Sequence, residues 1–336
     1  MAPPPADPPG SLATIDPPRP SSGQELLAAG RTNAGDQIFK GVALAAGLLV
    51  LAILALIAVS TTREAWPAFE AEGLSFITTN DWVPAENKYG ALAFIYGTVV
   101  VAFLAVLISV PVSLGIALYA NEAAPRRFRT TVVYVMDLLA AIPSVVYGLW
   151  GLAVLAPAIG PVYEAIGGFF EGWPVLGTIF GPTSSGRAFM TAGIILAVMI
   201  TPIVTSLSRE VIATVPSAQR EAAYGMGATR WEMIRSSVLP WSQGGIVGAV
   251  MLGLGRAMGE TIAVALVIGS NPQITADLFA PGDAMAAVIV NQFGEAAGLH
   301  RAALIGLGVV LFGVTIIVNV SARGIVGRFD RKLSGA

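Results

Sequence analysis

Six apolar runs punctuate the chain, at about 38–60, 91–120, 131–157, 188–208, 243–270 and 302–322. Each is near the ~20 residues a helix needs to cross ~30 Å of hydrocarbon. The pattern predicts an all-α integral membrane protein with six transmembrane helices. The second run is long enough to tilt or to project beyond the bilayer. Pro111, Pro143 and Pro202 fall inside the second, third and fourth runs and are expected to kink them, which neighbouring helices or water make tolerable. Ahead of the first run, residues 1–36 hold eight prolines and few large apolar side chains. Such a segment cannot bury enough surface to offset its ordering entropy, so it reads as a disordered tail before a transmembrane domain at 37–336. It lacks the basic start and short apolar core of a signal peptide.

The polar stretches divide by charge. Fourteen of the nineteen Lys and Arg residues lie in the N-terminus, residues 121–130, residues 209–242 and the C-terminus. Arg63, Lys88, Arg187 and Arg301 lie in the opposite set, and Arg256 is inside a run. Positive charge gathers on the cytoplasmic side, which assigns both termini there. The outer loops are longer than a simple bundle needs. Residues 61–90 carry Trp66, Phe69, Phe76 and Trp82 among five acids, and part of this stretch is expected to lie in the interface as a helix, apolar face down. Residues 158–187, with Tyr163, Phe169, Phe170 and Trp173, look similar. Aromatic anchoring and a docking floor for an external partner are both open.

Composition agrees and then excludes. Of 336 residues 55% are hydrophobic and 12% charged, about half the ~25% charged content of a soluble domain. Without cysteine there is neither a disulfide nor a thiolate metal site. His300 is the single histidine, which leaves no material for a His-based triad or zinc centre. Lysine occurs only at 40, 88 and 332, none of them after a glycine-rich loop. The phosphate cradle of P-loop ATPases is therefore missing, and no metal site, cofactor or catalytic chemistry is expected of this chain.

The most informative polar stretch is residues 209–242. Pro216 suits a first helical turn, and Ser217 to Tyr224 are good helix formers. Gly225 and Gly227 are expected to end that helix. Thr229 and Glu232 have the spacing of a capping box, so a second short helix should start there and run to a break at Pro240. Within this loop Glu221-Ala222-Ala223, Gly227 six residues after the glutamate, and Leu239-Pro240 resemble the EAA signature of binding-protein-dependent ABC importer permeases. Ser237 stands where that signature usually has an apolar residue. Two further stretches, 138–148 (LLAAIPSVVYG) and 252–261 (LGLGRAMGET), are similar to the phosphate-specific permeases. The length, long outer loops and extended N-terminus favour the C-type subunit over its A-type partner.

The resemblance implies a type I importer permease in a bacterial cytoplasmic membrane. It would pair with a second, A-type permease, bind two ATPase subunits that supply ATP and Mg, and receive phosphate from an external binding protein. Glu221, Ala222, Ala223, Gly227, Leu239 and Pro240 would then couple the chain to the ATPase. Sulfate, molybdate or another oxyanion is the rival substrate within the class. An ion-driven secondary transporter and a membrane scaffold are the rivals outside it.

Charge inside an apolar run is costly and usually faces protein or a wet path. Arg256 and Glu260 stand at i and i+4, which on one continuous helix puts both on one face. Asp137, with Tyr134, Ala141, Ser144 and Gly148, extends a polar-and-small stripe along the third run. Either the charges neutralise each other and hold helices in register, or the arginine offers a planar fork to an oxyanion in a translocation path. The resemblance, which puts these residues in the pore, favours the second. The expected path set is Arg256, Glu260, Asp137, Ser144 and Tyr147. Glu260 would accept a hydrogen bond from the proton of hydrogen phosphate, which sulfate does not have.

Overall fold

The computed structural model describes residues 34–181 and 185–334, and within them six helices are long and apolar enough to cross a membrane. The proline-rich segment lies outside the described residues except for its last three, which open the first helix. That helix, α1 (Ala34–Glu72), is 39 residues long. The chain divides into two units, residues 1–57 and 58–336. In the first, residues 41–57 form part of a helix that is apolar on every side, as a lipid-facing span must be.

In the second unit, the final turns of α1 replace the separate interfacial helix expected within 61–90. They are followed by a single turn, α2 (Ser75–Thr78), and a hairpin of β1 (Trp82–Val83) with β2 (Lys88–Tyr89), paired Trp82 to Tyr89. Phe76, Tyr89, Phe94, Met285, Leu304 and Leu307 bury one cluster at this end. Next come α3 (Leu92–Leu118), α4 (Arg126–Ala141), α5 (Ser144–Trp150) and α6 (Ala156–Phe170). After a single turn, α7 (Leu176–Ile179), follow α8 (Phe189–Ala213), α9 (Ser217–Gly225), α10 (Arg230–Met233) and α11 (Leu239–Met258). The chain closes with α12 (Ile262–Val267), α13 (Met285–Gln292) and α14 (Gly298–Ser334).

The heart of the unit is α3 against α8, the most extensive helix pair. Leu104, Ile195, Leu196, Ile200, Met258 and Val264 are buried together there. Gly193 lets Leu104 in: a β-carbon at that glycine would stand 2.7 Å from Leu104 Cβ. Hydroxyls fasten the same seam, with Thr201 Oγ1 donating to Ser109 Oγ at 3.0 Å and Ser113 Oγ to the Thr201 carbonyl at 3.2 Å. Hydroxyl pairs of this kind are the usual polar glue between membrane helices.

Prolines decide where helices break, but not in the way the sequence suggests. Three π turns, Tyr119–Ala123, Gly151–Leu155 and Ile234–Val238, each end two residues before a proline: Pro125, Pro157 and Pro240. A proline deprives the carbonyl four residues earlier of its donor, and in all three cases that carbonyl falls inside the wider turn. At Pro157 and Pro240 the turn absorbs the misfit, whereas before Pro125 the helix ends, with Ala124 and Pro125 extended at ψ 135° and 150°. Two helices thereby run on. α5 and α6 form one span from Ser144 to Phe170, and α10 and α11 form one from Arg230 to Met258. Pro240 is therefore not the expected break. Pro143, with ψ 139°, is one: it ends α4 and opens α5 rather than kinking a single helix. The third span consequently lies at 144–170 instead of 131–157, and residues 158–170 belong to it. α4 carries Arg127, Arg129 and Asp137 and is not among the six apolar helices.

Candidate functional site

Two places gather the residues singled out by the sequence. The first is the polar loop, where α9 stands between two spans. Pro216 caps it, α9 ends at Gly225, and Gly227 takes φ +82°, a left-handed conformation that glycine adopts freely. The capping box at the start of α10 is formed: the Glu232 N–H donates to Thr229 Oγ1 at 3.4 Å and the Thr229 N–H to Glu232 Oε2 at 2.8 Å. Ala223 is buried with Ala117, Ile212, Met233 and Val238, while Glu221 is exposed. Ala222, Ala223 and Pro240 line a cleft of about 490 Å³ together with Gln219, Met226 and Trp241. Leu239 packs against the same cluster as Ala223. All six residues of the signature thus lie at one end of the unit, around one short helix. Because α10 continues into α11, that end carries one free-standing short helix, α9, instead of the two expected.

Sequence reasoning missed what holds α9. Arg220 Nη2 meets Glu122 Oε1 at 2.9 Å and the Ile212 carbonyl at 3.0 Å, and Nη1 donates to the Val215 carbonyl at 2.7 Å. One guanidinium ties the first turn of α9 to the end of α8 and to the π turn after α3. The Glu122 side chain is 7% exposed, so the pair is shielded from water on the acid's side. The partners are 98 positions apart, and no local motif announces them.

The second place is a pair of helix breaks. α11 ends at Met258 and α12 begins at Ile262. Arg256 is in the last turn of α11, and Glu260 lies in the break, so the common helix face expected from their spacing does not exist. Among the described residues no ion pair joins Arg256 to Glu260; Glu260 Oε1 instead accepts the Ala263 N–H at 3.4 Å and caps α12. Arg256 is exposed and Glu260 half-buried.

The break at Pro143 lies at the same level. A β-carbon on Gly148 would stand 2.8 Å from Ala263 Cα, and one on Gly151 would stand 2.9 Å from Val267 Cγ1. Contacts that advance together along both helices mean that α5 and α12 run parallel, with Ser144 and Glu260 at matching ends. The stripe expected from Asp137 to Gly148 is cut by the Pro143 break. Asp137 stays exposed on α4, and Ser144 is half-buried. Tyr147 is buried in the core, and its hydroxyl donates to the Leu139 carbonyl at 2.8 Å. The structure therefore brings Ser144 and Glu260 to one level, with Arg256 about one turn away; it leaves Asp137 apart and turns Tyr147 inward.

A further buried acid escaped notice. Asp283, between the fifth and sixth spans, is 4% exposed, and burial pushes its carboxyl up to about 6. The Ala284 N–H donates to its Oδ1 at 2.8 Å. A β-carbon on Gly97 would lie 1.9 Å from its main-chain oxygen, so α3 touches this segment backbone to backbone.

Residues 110–335 match the family described as binding-protein-dependent transport system inner membrane component. A protein named phosphate transport system permease protein PstC from Mesorhizobium japonicum is 44% identical over 88% of this chain and 91% of its own length. Its namesake in Xylella fastidiosa (strain Temecula1) is 44% identical over 90% and 94%. PstC 2 of Mycobacterium tuberculosis is 38% identical over 87% and 92%. Among solved structures, a bacterial alginate ABC transporter in complex with an alginate-pentasaccharide-bound periplasmic protein superposes with TM-score 0.54, at 18% identity over 88% of this chain and 97% of that one. The inward-facing MetNI methionine ABC transporter gives 0.52, at 17% identity over 70% and 94%. Both show the fold. Six spans, paired helix breaks and a short helix held beyond the spans by its own ion pair are the build of a multi-pass permease of the ABC importer class. The chain belongs to the binding-protein-dependent inner-membrane permeases, on their PstC branch.

Proposed function

We propose that this chain is the transmembrane subunit of an ATP-driven importer of inorganic phosphate and forms half of its translocation path. The observation that carries this reading is the 44% identity, over nearly nine-tenths of the chain, to permeases named for phosphate transport. It has no P-loop of its own; a PstB-type ATPase supplies hydrolysis with its own ATP and Mg. A PstA-type permease completes the path, and a PstS-type protein delivers phosphate from outside. The membrane is the bacterial inner membrane, with both termini and α9 on the cytoplasmic side, in keeping with the distribution of positive charge.

The mechanism follows from the two places described. ATP binding closes the ATPase subunits, which grip α9 around Glu221 to Gly227. Through Arg220 and Glu122 the movement reaches α8 and the end of α3 together, and the spans rock the gate from inward to outward facing. Phosphate released above then meets Arg256 and Glu260 near the paired breaks, with Ser144 at the same level. Arginine offers a planar fork to the oxyanion, and the Glu260 carboxylate accepts a hydrogen bond from the proton that hydrogen phosphate retains near neutral pH. Sulfate has no such proton and leaves two acceptors face to face. Contact stays weak, so that release inward is fast.

Labelled phosphate uptake tests this in phosphate-starved cells that lack the gene, complemented with wild type or with Glu221→Lys, in the presence of excess sulfate. Uptake restored by wild type alone and indifferent to sulfate is the expected result. Displacement by sulfate would overturn the substrate, and rescue by both proteins would overturn the coupling role of α9.

A further inference from the structure

Pro143 has no N–H, so the carbonyl four residues before it, Leu139, loses the donor that a continuous helix would supply. A half-buried carbonyl left without a donor is costly, because little water reaches it. The donor comes from one turn past the break: the Tyr147 hydroxyl reaches Leu139 O at 2.8 Å, while the Ile142 N–H approaches the same oxygen only to 3.4 Å. The Tyr147 ring is buried in the cluster that also holds Ile195, Met258 and Ala263. One side chain is therefore pinned at both ends, its ring in the core and its hydroxyl on the preceding helix.

The neighbouring residue is the closest point between α5 and α12. With hydrogen in place of a β-carbon, Gly148 lets Ala263 Cα come in; a β-carbon there would stand 2.8 Å from that atom. Ala263 is also the residue whose N–H Glu260 caps. Leu139, Tyr147, Gly148, Ala263 and Glu260 thus form an unbroken line of contacts from one helix break to the other.

We propose that Tyr147 is a positioning residue for translocation: its hydrogen bond to Leu139 sets the angle of the Pro143 break, and contact of Gly148 with Ala263 passes that angle to Glu260. The inference rests on Glu260 acting in the path. Tyr147 does not touch the anion, since its single hydroxyl proton is committed to Leu139. It is a strut that makes α5 and α12 turn as one body when the gate changes sides. Without it the proline break becomes a loose joint, and closure of the ATPase no longer delivers Glu260 to one position.

The test uses the complete importer in proteoliposomes, with its ATPase and binding protein, and measures phosphate taken up per ATP hydrolysed. Tyr147→Phe keeps the ring and removes only the hydroxyl. It should assemble with unchanged yield and a melting temperature lowered only by what one hydrogen bond is worth, yet lose about tenfold in uptake per ATP, the size of an ordinary coupling between sites. Gly148→Ala, whose β-carbon would press on the Ala263 backbone at 2.8 Å, should lower the melting temperature as well and lose uptake per ATP in the complex that still assembles. The double variant should be no worse in uptake per ATP than the more severe single one. Wild-type uptake per ATP in Tyr147→Phe, or a loss that only tracks the amount of assembled complex, would overturn the proposal. Glu260→Gln run in parallel separates the two readings. If it stops uptake while Tyr147→Phe does not, the strut alone fails. If Glu260→Gln transports at the wild-type rate, the path reading fails and the strut with it.

Discussion

At the scale of single residues, the sharpest expectations concern groups with no room or no water. Asp283 is protonated more readily in the folded protein than a free carboxyl would be, moving from 3.8 to about 6 through burial. The folded state then binds the extra proton, so stability is fully present below about pH 4, declines as pH rises to about 6 and is level above that, a loss of about 3 kcal/mol in all. Asp283→Asn keeps the oxygen that accepts the Ala284 N–H and carries no charge. Its melting temperature in detergent should exceed wild type at pH 7.5 and vary less between pH 4 and 6; a lower value at pH 7.5 would contradict this. Gly97→Ala should abolish recovery of folded subunit by size exclusion, since its β-carbon would meet the Asp283 carbonyl at 1.9 Å, an overlap beyond the ~1–3 kcal/mol of ordinary overpacking. Gly248→Ala meets nothing within 4 Å, and in the isolated subunit should change stability by no more than about 0.5 kcal/mol.

At the scale of elements, α9 is too short to be stable alone and exists because its neighbours hold it. Arg220→Met would strip Glu122 of its counter-charge in a shielded place and cost about 3 kcal/mol locally. The expected outcome is faster amide exchange across residues 217–225 and loss of uptake, with the six spans still folded. The variant Glu122→Gln with Arg220→Met should recover part of that protection; no recovery would mean that the ion pair is not what secures α9. Gly227→Ala places a β-carbon at φ +82°, a strain of about 1 kcal/mol that tilts α9 against α10 and should lower uptake without lowering expression. The π turns make a related point. Prolines 157 and 240 are absorbed by widening the turn before them, whereas Pro125 and Pro143 each stand between two helices, and after Pro143 the Tyr147 hydroxyl supplies a donor to Leu139.

At the scale of the whole molecule, the two places act on each other through the spans between them. α8 runs from the core cluster shared by α5 and α12 to the cluster that buries Ala223 of α9. Movement imposed on α9 therefore has a packed route to the paired breaks, and the hydroxyl seam between α3 and α8 keeps that route in register. The Thr201 hydroxyl is engaged in this seam, within hydrogen-bond reach of both Ala197 O and Ser109 Oγ. Thr201→Val should accordingly loosen the pair and lower the melting temperature by an amount that corresponds to about 1 kcal/mol for each hydrogen bond lost, while leaving the preference for phosphate over sulfate in uptake assays untouched.

What the sequence determined by itself is whatever depends on neighbours a few positions apart or on sheer hydrophobic length. Six spans, the helix after Pro216, its end at Gly225 and Gly227, the Thr229–Glu232 box and the family signature all belong to that kind. Where the helices begin and end was only partly legible. Hydropathy alone does not tell that residues 61–72 extend α1 or that the third span starts at Ser144, because the same apolar letters suit a span, an interfacial helix or a packed extension. Pro143 and Pro240 look alike in the chain; which one breaks its helix depended on a tyrosine and a glycine meeting other elements. The tertiary structure alone separated Arg256 from Glu260, joined Arg220 to Glu122 across 98 positions, turned Tyr147 into the core and buried Asp283. Each of these is a contact between segments far apart in sequence, and its energy exists only once the helices have packed.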